Sequence, residues 1–189
     1  SAFDSAGQRC SALRVLFLQA DIAPRVLKLL EGAIAELKIG EPINLDTDIG
    51  PVIDGNSLAE LEAHAKRMSR EARLIAEAPL SDETKDGYFF APRAFEIDAI
   101  SRLEREVFGP ILHVVRFEGG ALEKVCDAIN ATGFGLTLGV HTRIQETADF
   151  IRARARVGNL YVNRNQIGAV VGVQPFGGEG LSGTGPKAG

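Results

Sequence analysis

The 189-residue sequence predicts an α/β fold: a mostly parallel sheet with helices on both faces. Three observations lead there. Apolar runs too short for helices alternate with amphipathic segments, the connections between them are short, and 45 % hydrophobic residues give enough core for one soluble domain.

The first apolar run, Leu13 to Gln19 around Val15-Leu16-Phe17-Leu18, reads as a buried strand. The helix after it is expected to be capped by Asp21, to turn Ile22, Val26, Leu29, Leu30, Ala33 and Leu37 to one face, and to stop at Gly40 after Lys38. Segment 40–55, with Pro42, Pro51 and several aspartates, has no periodicity and reads as a loop. Ser57 and Glu60 make a capping-box pattern for a helix that runs to about Arg70 and turns Leu58, Leu61, Ala65 and Met68 inward. Strands are expected at Arg73 to Glu77, Phe89 to Glu96 and Ile111 to Phe117. Leu122, Val125, Cys126 and Ile129 mark the next helix, and Leu136 to Thr142 the next strand. Thr142 and Gln145 repeat the capping pattern before a helix with Ile144, Ala148, Ile151 and Ala155 inward and Arg152, Arg154 and Arg156 near its negative end. Leu160-Tyr161-Val162 closes the series as a strand. From Asn163 onward, Gly168, Gly172, Gly177, Gly178, Gly180, Gly183, Gly185 and Gly189 crowd a long loop, the kind of segment that lets backbone approach a ligand.

Composition removes several functions. With 21 basic against 25 acidic side chains, a formal charge of −4 and scattered Lys and Arg, the chain lacks the basic patch of a nucleic-acid binder. No apolar run approaches the roughly 18 residues of a membrane span. Cys10 and Cys126 sit far apart outside any CxxC spacing, which argues against a disulfide scaffold or zinc ribbon and for a reducing, cytoplasmic compartment. Ser1 follows no basic-then-apolar leader and is expected to be an excised start, not a signal peptide.

Three places can carry chemistry. Cys10, in Gly7-Gln8-Arg9-Cys10-Ser11, has a cation beside it, and cations beside thiols favour the reactive thiolate. Spacing alone favours an inert buried cysteine, because no His or carboxylate partner can be placed next to it. Cys126 suits that inert reading better, on the apolar face of its helix. Glu106 and Phe108, just before Gly109-Pro110 and a core strand, can offer a carboxylate to vicinal hydroxyls and a ring to a flat ligand; alternatively they are a solvated glutamate and a core phenylalanine. Gln166-Ile167-Gly168-Ala169 and Gln174-Pro175-Phe176-Gly177-Gly178 expose backbone amides that can bind a carboxylate, or form an interaction loop or a flexible terminus. His64, His113 and His141 lack metal-ligand spacing, so no metal is expected, and His113 reads as a core histidine. A Cys/His hydrolase stays formally open, since its histidine need approach only in three dimensions. No glycine-rich turn joins an early strand to a helix, so no dinucleotide fold is expected within the chain.

Taken in register, Gly7-Gln8-Arg9-Cys10, Glu106-Val107-Phe108-Gly109-Pro110, Gly158-Asn159-Leu160-Tyr161-Val162-Asn163 and Pro175-Phe176-Gly177-Gly178 before Ser182-Gly183 resemble the catalytic half of the aldehyde dehydrogenase superfamily over nearly the whole chain. Ser11 and the run from Asn163 to Phe176 resemble the L-glutamate γ-semialdehyde (pyrroline-5-carboxylate) dehydrogenases, most closely the aldehyde dehydrogenase module of bifunctional proline utilisation flavoproteins. The resemblance implies NAD-dependent oxidation of glutamate γ-semialdehyde to glutamate in proline catabolism. It implies Cys10 as nucleophile, Glu106 on the nicotinamide ribose hydroxyls and Phe108 lining the cofactor cleft. It also implies Ser11, Gly168 and Ala169 on the substrate α-carboxylate, with Phe176 against the aliphatic stem. The partners implied are a small aldehyde, a dinucleotide-binding domain of the same parent chain and further copies in a homo-oligomer; FAD would belong only to a separate proline dehydrogenase module. The family's water-activating glutamate, oxyanion-hole asparagine and dinucleotide domain precede its cysteine, so residues 1–189 are expected to be an excised catalytic domain, inactive alone, with a glycine-rich substrate loop at about 163–189. Alternatives are an aldehyde dehydrogenase of other specificity and a non-catalytic assembly domain of the same fold.

Overall fold

The computed structural model of the protein describes residues 1–170, 172–184 and 187; the expectations placed on Val171, Gly185 and Gly189 lie outside the described residues. The chain forms two compact units, one of Ala2–Gly119 and one of Ser1 with Gly120–Gly189.

In the first unit, the strands β1 (Val15–Gln19), β2 (Arg73–Glu77), β3 (Arg93–Glu96) and β4 (Ile111–Phe117) form one sheet in the order β1-β4-β3-β2. β1, β4 and β3 run parallel and β2 joins antiparallel at the edge. The expected strand from Phe89 shortens to Arg93–Glu96, because Pro92 has no N–H to give a ladder; Phe89 and Phe90 are instead buried in the core.

Helix α1 (Ala23–Ala35) has no side-chain cap: Asp21 accepts from Gln19 Nε2 at 3.0 Å, and Pro24 near the first turn fixes the start. Its buried face is Ala23, Leu27 and Ile34, rotated from the expected stripe so that Ile22 and Leu29 stay exposed. Helix α2 (Gly55–Glu71) opens earlier than the Ser57/Glu60 pattern implied, because Asp54 is the cap, its Oδ1 taking the Ser57 N–H at 2.7 Å. A carboxylate there satisfies an orphan donor and also meets the positive end of the helix, and the Ser57 N–H lowers the Asp54 pKa.

α2 carries Leu61, His64, Ala65 and Met68 inward. His64 Nε2 lies 2.9 Å from His113 Nε2 of β4, and His113 Nδ1 lies 3.2 Å from the Arg14 carbonyl oxygen, so His113 is the core histidine that the sequence implied. Both contacts are satisfied with one proton on His113 Nδ1 and one on His64 Nε2. Burial, with neighbouring positive charge, pushes both imidazoles down to about 4. Unfolded histidines take up protons near pH 6.5, whereas the folded pair stays neutral until about 4, so the unfolded chain binds more protons between those limits. Stability is therefore full above the unfolded value and falls as pH drops. The urea midpoint is expected to decline between pH 7 and 5, and to decline less in His64→Gln, whose amide can still donate to His113; an equally steep decline would remove the pair as the source.

The second unit holds α3 (Leu122–Ala131), β5 (Phe134–Gly135), β6 (Thr137–Val140), α4 (Gln145–Arg154), β7 (Asn159–Val162) and β8 (Glu179–Gly180). β6 and β7 pair in parallel, and β5 pairs antiparallel with β8, so the glycine-rich segment expected to be all loop contains a short strand. α4 starts after Ile144, which is exposed, and Thr142 Oγ1 accepts the Ile144 N–H at 3.1 Å without capping the helix. Cys126 is buried with Val140 and Ile151, and burial pushes its thiol pKa up.

Candidate active site

A short 3-10 turn, Asp4–Gly7, leads into the Cys10 segment, with Ser5, Ala6 and Gly7 in succession at φ +55°, +53° and +64°. Left-handed backbone at two non-glycine residues costs of order 1 kcal/mol each and persists only where surrounding contacts hold it. Those contacts are visible. Gln8 Nε2 donates to Ser5 O at 3.2 Å while its Oε1 accepts the Ile53 N–H at 2.8 Å, and Arg9 Nε donates to Ser5 Oγ at 3.0 Å. The turn that follows leaves Cys10 exposed, against the inert reading favoured by spacing alone, and buries Ser11.

Glu106 and Phe108 belong to the same unit. Phe108 is 46 % exposed, so it is not a core ring, and the Glu106 carboxylate is partly exposed. Both line a cavity of about 430 Å³ together with Gln8, Ile53, Ser57 and His64. Arg14, at the foot of β1, is the residue that sequence reasoning missed: its guanidinium reaches Glu106 Oε1 at 3.2 Å and stacks on the Phe108 ring at 4.6 Å. Burial lowers its pKa and Glu106 opposes that shift. The available signal was a cation interrupting an apolar run just before Val15.

Gly168, Ala169 and Phe176 lie in the other unit. Gly168 has φ +123°, which bars most side chains, Ala169 is exposed and Phe176 is half-buried. Asn159 on β7 brackets Phe176, giving Nδ2–H to Pro175 O at 2.9 Å and taking the Gly177 N–H at 3.2 Å. Gln174 Nε2 donates to the Tyr161 hydroxyl at 2.7 Å. The sequence marked the Asn159 motif without assigning it this role. Among the described residues no group of three or more His, Cys, Asp or Glu could hold a metal ion, and no helix is long and apolar enough to cross a membrane.

The chain is similar to known proteins over its whole length. The bifunctional protein PutA of Escherichia coli (strain K12) is 57 % identical over 194 residues, covering 100 % of this chain and 15 % of its own length. A crystal structure of a Bradyrhizobium japonicum proline utilization A (PutA) mutant superimposes with a TM-score of 0.95 at 57 % identity, over 100 % of this chain and 19 % of that one. The 1-pyrroline-5-carboxylate dehydrogenase from Thermus with bound NAD gives 0.88 at 35 % identity, over 97 % of this chain and 35 % of that one. The chain thus spans well under half the length of each relative. The sequence pattern of the aldehyde dehydrogenase family matches residues 1–189, and the chain belongs to that family.

Proposed function

We propose that residues 1–189 are the catalytic, thiol-bearing portion of an NAD-dependent L-glutamate γ-semialdehyde dehydrogenase of proline catabolism, working with a dinucleotide-binding domain of the same parent chain. The observation that carries this reading is an exposed Cys10 on a turn fastened to the Glu106–Phe108 segment, in a chain that matches the family throughout.

Cys10 attacks the aldehyde carbon as thiolate, and its own backbone N–H helps hold the oxyanion. Bound NAD supplies the hydride acceptor. Glu106 and Phe108 fit that cofactor: a partly exposed carboxylate can accept two vicinal ribose hydroxyls, and an exposed ring beside the same cavity can pack on a flat base. Cys10 then carries a thioester, which water releases as the carboxylate product. Ser11 and the Gly168-Ala169 amides hold the substrate α-carboxylate, in the glycine-rich segment 163–189, and Phe176 packs on the aliphatic stem. The bracket from Asn159 supports this role, because it fixes the backbone on both sides of Phe176. The working enzyme is read as a cytoplasmic homo-oligomer.

The test is NADH formation by the full-length protein with glutamate γ-semialdehyde beside a simple aliphatic aldehyde. A site built to hydrogen-bond the carboxylate is expected to prefer the semialdehyde by about 10²-fold or more in kcat/KM. Ala169→Leu is expected to raise the semialdehyde KM about tenfold and leave the aliphatic aldehyde unaffected. Equal rates would demote the enzyme to a general aldehyde dehydrogenase, and no NADH with either would support a non-catalytic assembly domain.

A further inference from the structure

Arg14 is fixed from both ends. Its carbonyl oxygen takes the His113 N–H at 3.0 Å, one step before the β1–β4 ladder begins at Val15 and His113, so its backbone is part of the central sheet. Its guanidinium is mostly buried and makes four hydrogen bonds. Nη1 donates to Gly7 O at 2.6 Å and Gly109 O at 3.3 Å, Nη2 to Arg9 O at 3.1 Å, and Nε to Glu106 Oε1 at 3.2 Å, with Cζ over the Phe108 ring. The carbonyls of Gly7 and Arg9 precede Cys10 in the same turn, and Glu106, Phe108 and Gly109 form the other segment. One planar cation therefore joins the two. Only a guanidinium has enough donors in a fixed fork to make these bonds together; an ammonium has the charge without the fork.

We propose that Arg14 is a positioning residue for the oxidation, setting the Cys10 turn and the Glu106–Phe108 cofactor face in one geometry; this rests on the functional reading above. The carboxylate of Glu106 can turn one oxygen to Arg14 and still accept from the ribose, and the stack keeps the Phe108 ring from swinging into the core. Geometry and charge are separable, which distinguishes positioning from general support of the fold.

In the full-length protein, Arg14→Lys keeps the charge and loses the fork, and Arg14→Gln loses both. Two measurements are made: NAD affinity by titration, and the rate of Cys10 carbamidomethylation by iodoacetamide without cofactor, read by mass spectrometry of its peptide. Arg14→Lys is expected to weaken NAD binding about tenfold while alkylation stays within about twofold of wild type. Arg14→Gln is expected to weaken binding at least as much, with alkylation likewise within about twofold of wild type. Glu106→Gln is expected to weaken binding, and adding Arg14→Lys to it to cost less than about twofold more, because the two act on one contact. Wild-type NAD affinity in Arg14→Lys, or full additivity with Glu106→Gln, overturns the proposal while leaving the functional reading intact. A wild-type protein that binds no NAD sinks the functional reading and this inference with it. Should both Arg14 variants fail to fold, hydrogen exchange gives the answer without them: saturating NAD is expected to slow exchange over residues 7–14 in wild type and not in Glu106→Gln, and equal slowing in both overturns the proposal.

Discussion

Cys10→Ser in the full-length protein is expected to lose NADH formation by about 10³-fold or more while binding NAD as wild type does. A thiol at neutral pH already supplies some thiolate, whereas a serine hydroxyl needs a base within hydrogen-bond reach to attack at all. In the Ala2–Gly119 unit both histidines are committed elsewhere: His64 and His113 are buried and bonded to each other. The exposed position of Cys10 means the substitution removes no core contact, so a loss of turnover with unchanged unfolding midpoint reports chemistry alone. Cys126→Ser is the control. Its thiol is buried with Val140 and Ile151, so it is expected to lower stability modestly and leave the rate alone. Turnover retained in Cys10→Ser would remove the nucleophile assignment. Ester hydrolysis would not separate a dehydrogenase from a Cys/His hydrolase, since both use a cysteine; dependence on the nicotinamide cofactor does.

The parts of the molecule that were legible in the sequence are those in which one local signal decides. The run Ile111 to Phe117 is mostly apolar, with Ile111, Val114 and Val115 β-branched, and emerges as β4 with the expected bounds. Helix starts were read less well, because several capping residues compete within a few positions: Asp54 wins over Ser57 through its charge, and Asp21 is drawn away by Gln19. The Cys10 turn, Glu106 and Phe108 were found as motifs, but what fastens them was not. Arg14 acts across more than ninety residues of sequence on Glu106, and His64 meets His113 across 49, and nothing in local periodicity encodes such pairings. Exposure was likewise illegible at single positions, since an aromatic before Gly-Pro is core or surface according to what packs beside it. Phe108 stays half exposed, with the Arg14 guanidinium over its ring.

Gly7→Ala is expected to lower stability by about 2 kcal/mol or more and to cut turnover in whatever protein still folds. Two independent effects add at this residue. Its φ of +64° lies where a Cβ is disfavoured, at about 1 kcal/mol. The Cβ itself would then stand 2.4 Å from Gly109 O and 2.9 Å from Pro110 N, against backbone that cannot rotate out of the way as a side chain could. The chain's options are to move the Cys10 turn or to move Gly109-Pro110, which precedes the buried strand β4 directly. β4 is the central strand, paired on both sides, so the turn is the part that moves. Displacement of Gly7 from Gly109 stretches the two carbonyl contacts of Arg14 that hold them together, at 2.6 and 3.3 Å. The chemical consequence is therefore a nucleophile shifted relative to the cofactor face. The urea midpoint reads the first effect and the rate in the surviving folded fraction reads the second, with Gly32→Ala as comparison: Gly32 lies inside α1 with nothing within 4 Å of a built Cβ, so alanine there is expected to stabilise by about 0.5–1 kcal/mol. If Gly7→Ala proved as stable and as active as wild type, the close approach of Gly7 to Gly109, and with it the joined geometry of thiol turn and cofactor face, would have to be abandoned.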